Sequence, residues 1–104
     1  VYGIANYHLE MAEVYRSQRN LDAQIASGRK ALELIEGRSF HDLAAAARIN
    51  LANSLRLRRD FREAEKLLTE AEEICSVHNF RDMVDKIARI RSDNDEDIAA
   101  AQPA

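Results

Sequence analysis

The sequence predicts an all-α chain built from stacked pairs of antiparallel helices, and three observations predict it. Apolar residues recur at spacings of three and four almost throughout, and no stretch of useful length alternates with period two. The breaks between these stripes fall on residues suited to helix ends. Slid by 40 residues, the chain also matches itself.

The elements follow in order. Ile4, Tyr7, His8, Met11, Ala12, Val14 and Tyr15 form a first apolar stripe. Leu21, Ile25, Ala31, Leu32, Leu34 and Ile35 form a second, and Leu43, Ala47, Leu51, Ala52 and Leu55 a third. A fourth runs through Phe61, Ala64, Leu67, Leu68, Ala71 and Ile74, and a fifth through Phe80, Met83, Val84, Ile87 and Ile90. Asn20 is placed to accept from the free amides opening the second helix, with Asp22 near that helix's positive end. Gly37 suits the left-handed residue that ends it. Ser39 with Asp42, and Asp60 with Glu63, have the spacing of capping boxes, and Asn79 is expected to cap the fifth helix. The spacing predicts helices over 2–18, 21–36, 40–58, 61–77 and 80–92. The short linkers force neighbouring helices to run antiparallel.

The self-match lays Ala5 on Ala45, Ala12 on Ala52, Arg16 on Arg56, Arg19 on Arg59, Ala31 on Ala71 and Glu33 on Glu73. The inter-helix break is superposed along with the small residues, which permit close helix crossings. The unit is a helix pair, present twice over 2–37 and 40–77, followed by one further helix over 80–92. Together these form a repeat domain over 1–92, and residues 93–104 are expected to be an acidic, Ala-rich, frayed tail.

Composition removes several classes of function. The longest apolar run is Leu43 to Ala47, so no membrane span of about 20 apolar residues exists. The lone Cys75 has no partner for an internal disulfide and cannot build a thiolate cage. A net charge of −3 argues against direct nucleic-acid binding. The chain begins in what already reads as helix, and is expected to be a piece of a larger protein. With no signal peptide in the sequence, a cytoplasmic location is expected.

Leu51-Ala52, Leu55, Phe61, Ala64, Leu68 and Ala71 have the spacing of large and small positions found in tetratricopeptide repeats. The chain resembles that family, in its longer variety of about 40 residues per unit. Met11-Ala12, Tyr15, Leu21 and Ala31 carry the match in the first unit, which departs from the family at Gln24 and Gly28. Both units also lack the usual early aromatic, with His8 and Arg48 in its place, and the proline at the unit's end. The resemblance implies a short right-handed α-solenoid whose last helix is a solvating cap. It further implies a concave face formed by the first helix of each pair, and a role in holding protein or peptide segments without catalysis.

Carried onto this chain, the concave face of the second unit comprises Ala46, Ile49, Asn50, Asn53, Arg56 and Leu57. Asn50, Asn53 and Arg56 are three apart, so they share a helix face. Asparagine both donates to and accepts from a peptide backbone, and arginine can fork onto a carboxylate. The first-unit face comprises Asn6, Leu9, Glu10, Glu13, Arg16 and Ser17. Glu10 and Glu13 stand where chaperone-tail-binding members of the family need Lys and Asn. Two glutamates repel a terminal carboxylate, so that activity is rejected. The expected ligand is a segment with a basic part near unit one and an acidic or amide part near unit two.

Other features read as structural. Arg56, Arg58, Arg59 and Arg62 form the densest basic cluster, but Asp60, Glu63 and Glu65 stand among them and suggest a salt-bridged surface. The run Asp93 to Asp97 fails as a calcium loop, with Ile98 where the loop needs glycine and Ala104 where it needs glutamate. His8, His41 and His78 fall on separate elements, so no metal or other cofactor is expected. No catalytic constellation is present, and the chain is not expected to be an enzyme. Two alternatives to a binding scaffold remain. One is a peptide-responsive sensor domain of a bacterial signalling or transcription regulator. The other is homodimerisation through an exposed first helix carrying Val1, Tyr2, Ile4 and Tyr7.

Overall fold

A computed structural model describes residues 2–101 as five α-helices: α1 Tyr2–Ser17, α2 Leu21–Ile35, α3 His41–Leu57, α4 Phe61–His78 and α5 Arg81–Ala101. Val1, part of the apolar end expected to be exposed, and residues 102–104 of the expected tail lie outside the described residues. α1 pairs with α2 and α3 with α4, while α2 packs on α3 and α4 on α5. α1 meets neither α4 nor α5. Contacts confined to near neighbours give the elongated stack of a repeat protein, 47 × 32 × 20 Å.

The repeat is visible in the helix starts: α2 and α4 begin at Leu21 and Phe61, α3 and α5 at His41 and Arg81. α5 therefore continues the register of the first helices. Ala47 and Ile87 are equivalent and both buried, as are Ser54 and Asn94. α5 is also longer than its expected span of 80–92, because residues 93–101 are helical and not a frayed tail. The apolar stripe, through Ile87, Ile90 and buried Asn94, keeps this segment packed on its neighbours.

Two clusters form the core. Ala5, Leu9, Ala31, Ile35, Leu43 and Ala47 join the two units at one end. The larger cluster gathers Ile25 of α2, the apolar faces of α3 and α4, and Ile87 and Ile90 of α5. The departures from the family pattern in unit one lie at the joint between α2 and α3. A Cβ on Gly28 would stand 3.3 Å from Leu51 Cδ1, so glycine permits this close approach. Buried Gln24 donates from Nε2 to Ser54 Oγ at 2.7 Å, and Ser54 Oγ donates to the Asn50 carbonyl at 3.0 Å.

The helix ends divide between expectation and departure. Asn20 Oδ1 accepts from the Ala23 amide at 3.2 Å, and Gly37 has φ 76°, as expected. Neither capping box forms. Phe40 takes the cap position of α3 and packs edge-on against Tyr2, whose hydroxyl donates to Asp42 at 2.9 Å. Asp60 accepts from Arg58 Nε at 2.8 Å and Glu63 accepts from Arg29 at 2.7 Å, so charge-assisted partners displace the cap bonds. Asn79 does not cap α5: at φ 60° it is the left-handed terminus of α4.

Candidate functional site

α3 presents Asn50, Asn53 and Arg56 along one face, and α5 meets them. Lys86 Nζ donates to Asn50 Oδ1 at 3.3 Å. Arg56 donates from Nε and Nη2 to Asn53 Oδ1 at 3.3 and 3.0 Å, and from Nη1 to Asp97 Oδ2 at 2.8 Å. The half-buried guanidinium thus holds a carboxylate of its own chain while Asn53 fixes its plane.

On α1 the equivalent positions are exposed. Asn6 Nδ2 donates to Glu10 Oε1 at 3.2 Å, and Arg16 pairs with Glu13 at 3.0 Å. Glu10 makes no ion pair among the described residues, so its carboxylate is open to an external cation. α1, which carries Asn6, Glu10, Glu13 and Arg16, touches α3, which carries Asn50, Asn53 and Arg56.

Ile49 does not belong to this face. It is 1% exposed inside the larger core cluster, and its equivalent, Leu9, is also buried. Adjacent helix positions are about 100° apart, which carries Ile49 into the core while Asn50 stays at the surface. Lys86 and Asp97 are the partners that sequence reasoning missed. Lys86 falls within the expected fifth helix, whereas Asp97 comes into reach because α5 continues past 92 with Asn94 buried.

The clustering of stripes, the shared register and the stacked pairs are those of one known repeat. A sequence model of the tetratricopeptide repeat matches residues 3–76. The chain belongs to the tetratricopeptide repeat family. No curated protein and no solved structure matches it. Membership makes it a protein–protein interaction module in general terms, and the family is typically non-enzymatic.

The rest of the tetratricopeptide stack offers little other chemistry. Among the described residues no group of three or more His, Cys, Asp and Glu side chains could hold a metal ion. His41 and His78, expected to be apart, stack with ring centroids 3.8 Å apart at the ends of α3 and α4 opposite their connecting turn. Burial pushes the Cys75 thiol upward, away from thiolate character. Among the described residues no helix is long and apolar enough to cross a membrane.

Proposed function

We propose that the adjoining faces of α1 and α3 bind a protein segment carrying a basic side chain, without catalysing a reaction on it. The observation that carries this reading is the exposed Glu10 carboxylate, without an ion-pair partner among the described residues, on a helix that touches the one bearing Asn50 and Asn53. Glu10 takes the cationic side chain, and the Asn53 amide nitrogen bonds the segment's backbone. α5 closes the far end, where Asp97 already occupies Arg56. The test is a peptide array probed with the parent and with Glu10→Lys. Peptides captured by the parent should be enriched in Lys and Arg and be lost from the variant. Equal capture by both, or no basic enrichment, would remove the reading.

A second reading, self-association through α1, is favoured by a different observation. Ile4, Tyr7 and Val14 are exposed, whereas their equivalents on α3 in the next unit, Ala44, Ala47 and Ser54, are half-buried or buried. A concentration-dependent mass in sedimentation, abolished by Tyr7→Asp, would establish it. A monomer at all concentrations would exclude it.

A further inference from the structure

We propose that the corner between α3 and α4 is a second docking site, built for an acidic protein segment that brings paired carboxylates and one apolar side chain. An open depression of about 650 Å³ lies there, lined by Arg59, Asp60, Phe61, Arg62, Glu63 and Lys66. Its two acidic residues are already matched from outside the depression. Asp60 accepts from Arg58 at 2.8 Å, and Glu63 is forked by Arg29 at 2.7 and 3.2 Å. Arg59, Arg62 and Lys66 form no ion pair among the described residues. The depression therefore presents unmatched positive charge on a chain whose net charge is −3.

The other unit supplies an internal control. Its corner has the same backbone, with Arg19 at φ 56° where Arg59 has 71°. Yet Asp22 stands in the place of Arg62, and Ala26 in that of Lys66. The corner thus forms without these cations. The position of Arg62 is also electrostatically poor, because it lies in the first turn of α4, where the helix dipole disfavours positive charge. Asp22 in the first unit is the favourable choice. A local rule broken without an internal partner points outward, to a ligand.

The chemistry of that ligand follows from the lining. Arg62 and Lys66 are about one helical turn apart, about 6 Å along the axis. Carboxylates two residues apart on an extended strand, about 7 Å, reach both. The Arg59 guanidinium stands over the half-buried Phe61 ring, 5.2 Å from its centroid, and the ring's uncovered part in the lining offers an apolar contact to a side chain of the ligand. The chain's negative net charge disfavours a continuous phosphate backbone, and so favours a short acidic protein segment over nucleic acid.

The test is fluorescence anisotropy with a labelled probe peptide of alternating Glu and Ala around one central Phe. The parent should bind it saturably and more weakly as salt rises. Arg62→Asp with Lys66→Ala, which copies the first unit's residues, should lose about tenfold or more in affinity. The same double variant should melt no lower than the parent, because it restores the favourable first-turn charge. Arg38→Ala, which removes an exposed cation outside the depression, should leave binding unchanged. No saturable binding by the parent, undiminished binding by the folded double variant, or tighter binding of a single-stranded RNA homopolymer would overturn the proposal.

Discussion

Gln24 and Ser54 make the buried polar bond that joins the two units, and its strength depends on both ends being present. Ser54→Ala leaves the Gln24 amide in the core with no acceptor in place of the hydroxyl. The cost should be about 1–2 kcal/mol, read as a fall in Tm of roughly 5–10 °C. Arg19 offers the opposite sign. It adopts φ 56° while the Asn20 amide bonds the Tyr15 carbonyl at 2.9 Å, a left-handed helix terminus that suits glycine. Arg19→Gly should raise the urea midpoint by an amount equivalent to about 1 kcal/mol. At this scale the sequence was partly legible. Asn20 and Gly37 act as read, because their roles depend only on neighbours in the chain. Asp60 does not, because Arg58 two residues back engages its carboxylate. Glu63 and Ile49 do not, because distant partners decide them: Arg29 lies 34 residues from Glu63, and Ile49 packs in a core shared with α2, α4 and α5.

α5 shows the same limit at the scale of an element. Asp93, Asp95, Glu96 and Asp97 crowd the C-terminal part of a helix, where the dipole opposes negative charge, so local rules argue for fraying. Tertiary anchors prevail. Arg91 donates to Glu65 at 2.9 Å and Glu72 at 2.6 Å, Asn94 is fully buried, and Arg56 holds Asp97. If Arg56 secures the last turns, Arg56→Ala should speed amide exchange over residues 95–101 while 83–91, fixed by Ile87 and Ile90, keep the parent's protection. Equal acceleration along all of α5 would show instead that the helix docks as one unit. The helix pairs themselves were legible, since each is defined by an apolar stripe and a short linker. The final helix was cut short because its last packed position is an asparagine, which hydrophobic spacing does not count.

Across the whole molecule, nearest-neighbour stacking makes the joint between units the place where cooperativity is decided. The Arg29–Glu63 fork is the shorter of two ionic links across that joint, from α2 to α4 at 2.7 Å, the other being Arg58 to Asp22 at 4.0 Å. Hydrogen bonds from the Arg29 guanidinium hold the Glu63 carboxyl below its ordinary value of 4.5. A depressed folded-state pKa contributes stability that is complete above the unfolded value and lost as pH falls through the lowered one. Both side chains are more than a third exposed, at 46% and 41%, so solvent screening limits the contribution to about 0.5 kcal/mol. Thermal melts of the parent should therefore lose about 2–4 °C from this pair as pH drops below 4.5, on top of the losses from other carboxylates. Glu63→Gln should melt lower than the parent at neutral pH by that amount and converge with it in acid. High salt should shrink the same gap, because an exposed pair is screened. A gap that persists unchanged at low pH and high salt would mean that Glu63 acts through packing at the joint and not through its charge.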